Sequence, residues 1–211
     1  AIGRAAAIEA MDGAMGRVLA AIKSEGMAKD TLVMFFCDNG SGGGSRGPRA
    51  LPGQLALRGG KGSVLEGGIR VPAVFRWPGV IRAGTTCSQL ISAQDLFPTF
   101  AVAAGIKPAN QKPFDGVNCW PAIIQNKLMK RPPVIVAGPS GDFAVLHDQW
   151  KLTWGQGQVR LYNVKDDPAE SKDVTLDHPE VAAKLADNLA PFSKLNISNQ
   201  ERGRQGGGRR P

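Results

Sequence analysis

The sequence predicts an α/β fold: part of a helix-and-strand layer, then a small antiparallel sheet packed with one C-terminal helix. Three observations carry this. A helical repeat over Ala5–Gly26 runs through a short connection into the continuous apolar stretch Thr31–Cys37. After about Pro132, short apolar stretches separated by turn residues replace that rhythm. From His178 the spacing becomes helical again. The divisions are residues 1–131 for the α/β part, 132–195 for the sheet and helix, and 196–211 for a tail.

In the first helix Ile8, Met11, Met15, Val18, Leu19 and Ile22 recur at helical spacing, and Gly26 fits a C-terminal cap. The strand at Thr31–Cys37 is apolar on both faces, which predicts half of a βαβ unit in a sheet covered on both sides. Gly40–Gly62 lacks periodicity and is rich in glycine, proline and arginine, the texture of a functional or disordered loop. Ile69, Val71, Ala73 and Phe75 then alternate as a strand does, and Trp77-Pro78-Gly79 makes a turn. Ser92–Ile106 reads as a helix with Asp95 near its start and Gly105 near its end. The stretches "PPVIVAG", "FAVLHDQWKLTWG" and "QVRLYNV" form a predicted meander. In the last helix Val181, Leu185 and Leu189 share one stripe.

Composition narrows the function. The chain has 211 residues, 42% hydrophobic and 21% charged, as in ordinary globular proteins. No apolar run approaches the length needed to cross a bilayer. Cys37, Cys87 and Cys119 are odd in number and form no C-x-x-C pair, so neither a zinc site nor a disulfide framework is indicated. Of the net charge of +8, the tail Glu201–Pro211 supplies +3 through four arginines against one glutamate. That tail has a disordered composition, and one tyrosine in the whole chain leaves no stacking platform for bases, so no nucleic-acid partner is expected.

Asp38 and Asn39 end the apolar strand, where open α/β sheets gather ligands. Their oxygens suit a hard cation, Ca²⁺ or Mg²⁺, but an Asx-Gly turn needs the same residues. Lys61 has glycine on both sides and is either a solvated lysine or a point charge for a sulfuryl or phosphoryl oxygen. The stretch is not a P-loop, because Gly62 stands where that motif continues otherwise. His147 and His178 read as surface or structural residues, and Asp166-Asp167 as turn chemistry.

Several stretches in order resemble the sulfatase family, sulfate-ester hydrolases of the alkaline-phosphatase-like fold. They are "AIEAMDGAMGRVLAAIKSEGMAKDTLVMFFCDNG", "LRGGKGSVLEGGIRVPAVFRWPG", "SAQDLFPTFAVAAG", "FDGVNCWPAI" and "WKLTW…VRLYNVKDDPAESKDV", spanning about Ala5 to Lys194. The resemblance implies the C-terminal part of an α/β/α sandwich for residues 1–131. It makes Asp38 and Asn39 ligands of a divalent cation, Ca²⁺ with Mg²⁺ as the alternative, and Lys61 the lysine that contacts substrate sulfate. The implied substrate is an aryl or carbohydrate sulfate ester, and the implied location periplasmic or secreted. The family's formylglycine nucleophile arises in a C/S-x-P-x-R motif, which this sequence does not contain: Cys119-Trp120-Pro121 is followed by Ala122-Ile123. The resemblance therefore implies the C-terminal portion of a longer sulfatase, inactive alone, with its nucleophile in a preceding part. Two alternatives stand beside it. One is a phosphoester or phosphonate hydrolase of the same fold. The other is a non-catalytic anion- or polysaccharide-binding module using Arg46, Arg49, Arg58, Lys61 and the tail.

Overall fold

The computed structural model describes residues 2–40, 57–106 and 113–192. They fall into two compact units: Ala1–Phe36 with Ala73–Met129, and Cys37–Pro72 with Lys130–Pro211. The glycine-rich stretch before Pro72 thus groups with the later sheet rather than with its neighbours in sequence. The predicted tail, Arg46 and Arg49 lie outside the described residues.

In the first unit, helix α1 spans Ile2–Ser24. It stops where Gly26 takes a left-handed conformation (φ 72°), and a single 3₁₀ turn over Met27–Lys29 follows. Strand β1 (Val33–Phe36) pairs with β2 (Ala73–Arg76), Val33 opposite Arg76 and Phe36 opposite Ala73. This pairing is antiparallel, where a βαβ unit predicts a parallel neighbour. β1 is only partly buried among the described residues, not covered on both faces. The Trp77 indole donates to the Lys29 carbonyl at 2.6 Å, tying the turn after β2 to the one before β1.

Helix α3 (Ala93–Ala103) opens at Ser92, whose amide donates to the Asp95 carboxylate at 2.7 Å, one half of a capping box. Asp95 is fully buried and also accepts the Val117 amide at 2.8 Å. One turn on, the Thr99 hydroxyl accepts the Cys119 amide at 2.9 Å. The two bonds dock the chain leading into α4 (Trp120–Gln125), whose Trp120 ring lies 5.7 Å from Trp77.

The second unit is built on the predicted meander. Strands β3 (Val134–Ala137), β4 (Phe143–His147), β5 (Trp150–Gly155) and β6 (Gln158–Asn163) pair antiparallel in sequence order. The β5–β6 hairpin closes through Gln156-Gly157, both at positive φ, as a tight two-residue turn demands. Alternation then sorts the side chains. Val145, Leu152 and Leu161 stand opposite one another, fully buried, and pack on Ala182 and Leu185 of α5 (Pro179–Ala186). Val181 and Leu189 flank that core, so the predicted stripe faces the sheet.

The other face of the sheet is buried as well. Leu146, Lys151 and Tyr162 stand opposite one another and are 8%, 0% and 2% exposed. Residues 57–70 are bonded to this face, and they include the short helix α2 (Glu66–Ile69). The alternation from Ile69 had predicted strand there. The chain is helical instead, and pairing begins only after Pro72, at Ala73.

Candidate functional site: a glycine-rich turn anchored on a sheet

The candidate residues Asp38, Asn39 and Lys61 all lie in the second unit. Past β1, the Cys37 amide donates to the Pro72 carbonyl at 3.3 Å and the Gly40 amide to the Gly68 carbonyl at 2.8 Å. Gly40 is the donor that an Asx turn at Asp38 would use, so that bond is diverted to another segment. Among the described residues no hydrogen bond or ion pair engages the side chains of Asp38 or Asn39. Asp38 is exposed and Asn39 half-buried. A methyl group on Gly40 would overlap the Gly67 carbonyl, so only glycine permits this approach of two backbones.

Lys61 occupies the first corner of a β-turn. The Ser63 amide donates to the Gly60 carbonyl at 2.9 Å, and Gly62 has φ 84°, the geometry of a type II turn, which requires glycine or asparagine at its second corner. The lysine is exposed, and among the described residues its ammonium has no partner. The turn rests on Gly68, where a methyl group would overlap the Ser63 carbonyl and stand 2.6 Å from that of Gly60. Gly68 therefore contacts both segments: it accepts the amide of Gly40, next to Asn39, and backs the Gly60–Ser63 turn that carries Lys61.

A buried ionic cluster ties this arrangement to the sheet, and sequence reasoning missed it. The Lys151 ammonium, fully buried on β5, lies 3.0 Å from Glu66 Oε1 and 2.9 Å from Glu170 Oε1. Glu170 Oε2 accepts the Glu66 amide at 2.8 Å, and Glu66 Oε2 accepts from the half-exposed Arg70 guanidinium. Two carboxylates thus face two cations. Burial nevertheless pushes the Glu170 carboxyl above its ordinary value, against the pull of Lys151 and the Glu66 amide. The signals in sequence were slight: a lysine between two tryptophans in "WKLTW", and acids 104 residues apart.

Arg58, one of the anion-binding candidates, is engaged structurally. Its guanidinium donates to the Tyr162 hydroxyl (3.2 Å) and the Glu170 carbonyl (2.9 Å). His178 stands at the N-cap position of α5 with its ring tilted against Trp150 at 4.7 Å, while His147 sits at the end of β4 with Asp148 Oδ2 at 3.6 Å. Asp166 accepts from Asn163, and Asp167 from Ser171 and the Lys172 amide, which is turn chemistry. Among the described residues no three acidic, histidine or cysteine side chains cluster as a metal site. The oxygens of Asp38 and Asn39 fit a hard cation as one part of a larger ligand set. Among the described residues no helix is long and apolar enough to cross a membrane.

Comparison with known proteins identifies the family. The family profile "Sulfatase" matches residues 3–106. N-acetylgalactosamine-6-sulfatase of Homo sapiens is 36% identical over 157 residues, covering 70% of this chain and 28% of that protein. Steryl-sulfatase of Mus musculus is 40% identical over 119 residues, or 55% of this chain and 19% of that protein. The chain thus spans roughly a fifth to three tenths of the curated relatives it matches. Among solved structures, Ps i-CgsB superposes with a TM-score of 0.77 at 34% identity, over 88% of this chain and 41% of that one. Phosphonate monoester hydrolase of Agrobacterium radiobacter shares the fold, with a TM-score of 0.60 at 24% identity over 88% of this chain and 39% of that one. A third of the residues held in common across most of the chain is more than shared architecture alone provides, and the chain belongs to the sulfatase family.

Proposed function

We propose that this chain supplies the sulfate-gripping half of a sulfuric ester hydrolase acting on an aryl or carbohydrate sulfate. The observation that carries the proposal is Gly68, which joins the Asp38–Gly40 segment to the turn bearing Lys61. In this reading Lys61 contacts a sulfate oxygen. Its ammonium, unpaired among the described residues, stands on a glycine-flanked corner from which it can approach an anion. Asp38 and Asn39 hold a divalent cation; their hard oxygens suit Ca²⁺ or Mg²⁺, and the family resemblance favours Ca²⁺. When bound, that cation draws charge from the ester's oxygens. The protein's contribution is pre-organisation: both groups sit on backbone that glycine packing holds fixed.

The nucleophile is not assigned within this sequence, which lacks C/S-x-P-x-R. Location outside the cytoplasm belongs to the same proposal, on the strength of the family alone. The relatives include an N-acetylgalactosamine-6-sulfatase and a steryl-sulfatase, so more than one class of sulfate ester enters the test.

The experiment is sulfate release from 4-nitrocatechol sulfate and from a sulfated monosaccharide by the complete gene product. Wild type, Lys61→Ala and a calcium-stripped sample are compared. Loss of release in both altered samples supports the proposal, and hydrolysis of only the matching phosphate ester transfers it to a phosphoester hydrolase.

A further inference from the structure

We infer that Lys151, with Glu66 and Glu170, is the positioning device that fixes the Lys61 turn on the sheet. The inference rests on the proposed role of Lys61 and adds three residues to which neither the resemblance nor the comparisons give a task.

The geometry makes the cluster a joint rather than a generic core contact. Lys151 belongs to the central β5 strand, whose ladder bonds on both sides fix its backbone. Its ammonium reaches Glu66, the first residue of α2, five residues after Lys61 in the chain. Glu170 lies beyond β6 in a left-handed conformation (φ 54°) and clamps the same place twice. Its side chain takes the Glu66 amide and the Lys151 ammonium, while its carbonyl takes the Arg58 guanidinium three residues before Lys61. The chain is therefore held on both sides of the Lys61 turn, at Arg58 and at Glu66, from one residue.

An apolar contact would hold this loop but leave it free to slide. Charged groups with directional bonds select one register, the use for which buried polar groups are best attested. Fixing register matters most where a point charge must meet an oxyanion, since small misplacements of a catalytic contact cost large factors in rate. Arg70 on Glu66 supplies the second positive charge, so the joint is balanced without drawing on Lys61.

The test is a double-mutant cycle in the complete gene product, with amide hydrogen exchange as a readout apart from activity. Lys151→Met is expected to lower kcat/KM about 10–100-fold, the usual loss when a supporting partner is removed. In a Lys61→Ala background the same change is expected to cost no more than about twofold, because Lys151 acts through Lys61. Exchange is expected to rise at Gly60–Ser63 while the amides of β4–β6 stay protected, and Lys151→Arg should restore part of the rate. Should Lys151→Met fail to fold, the triple variant Glu66→Gln/Lys151→Met/Glu170→Gln, which leaves only the half-exposed Arg70 without its carboxylate and no buried charge unpaired, takes its place. A folded variant with wild-type kcat/KM overturns the inference, as does a loss undiminished in the Lys61→Ala background. Wild-type rates for Lys61→Ala instead overturn the functional proposal, and exchange at the turn alone then decides whether the cluster holds it.

Discussion

The Lys151 ammonium and the Glu66 carboxylate meet 3.0 Å apart with 0% and 2% of their side chains exposed, joining residues 85 positions apart. The consequence is that both faces of the small sheet are covered. One face carries the α5 helix, and the other carries the glycine-rich loop with the candidate site.

Removing the ammonium leaves two buried carboxylates facing each other with only the half-exposed Arg70 nearby. Lys151→Met is expected to lower unfolding free energy by about 3–5 kcal/mol, and the triple variant described above to recover most of it. Urea denaturation followed by tryptophan fluorescence measures both.

Gly68→Ala forces a methyl group into the Gly60 and Ser63 carbonyls. Backbone atoms cannot yield as a flexible side chain does, so a loss of about 1–3 kcal/mol is expected, with a fall in kcat/KM because the Lys61 turn must shift. Gly16→Ala on α1, where nothing lies near the added carbon, should leave both quantities unchanged or slightly improved.

The acidic groups near β6 set opposed pH dependences. Glu170 holds its proton more tightly folded than unfolded, so stability falls as pH rises through the window above the ordinary glutamate value. Burial raises the Asp173 carboxyl, but bonds from Thr175 and the Leu161 amide outweigh it and bring the group below its ordinary value. Its contribution is present above the unfolded value and lost as pH falls through the lowered one. Thermal unfolding from pH 3 to 8 should show Glu170→Gln flattening the upper decline and Asp173→Asn weakening the acid limb.

Asp38→Ala and Asn39→Ala should each reduce the calcium-dependent rise in melting temperature of the complete gene product. A ligand present at a hundred times its dissociation constant adds about 2.7 kcal/mol of stability, so the loss is well within measurement. Differential scanning calorimetry with and without calcium reads it.

Elements governed by local periodicity were legible in the sequence. The meander followed from its alternation, α3 from Ser92 and Asp95, and the α5 stripe from Val181, Leu185 and Leu189. The stretch after Gly68 was not, because glycine-to-backbone packing against Gly40 and Gly60 decides its shape, and no periodicity records that contact. Lys151 was hidden for a related reason. An outward-alternating lysine reads as solvated until the loop that covers it is known, and its partners lie 85 and 19 residues away. The site candidates themselves were readable only as residue types, and Gly68 is the link between them that folding adds.

The account stands most directly on kcat/KM for sulfate-ester hydrolysis by Lys61→Ala and Lys61→Arg in the complete gene product. A fall of about 10²–10³-fold for alanine, partly relieved in arginine, with the melting temperature unchanged, is the predicted result. Undiminished turnover by folded Lys61→Ala would contradict it.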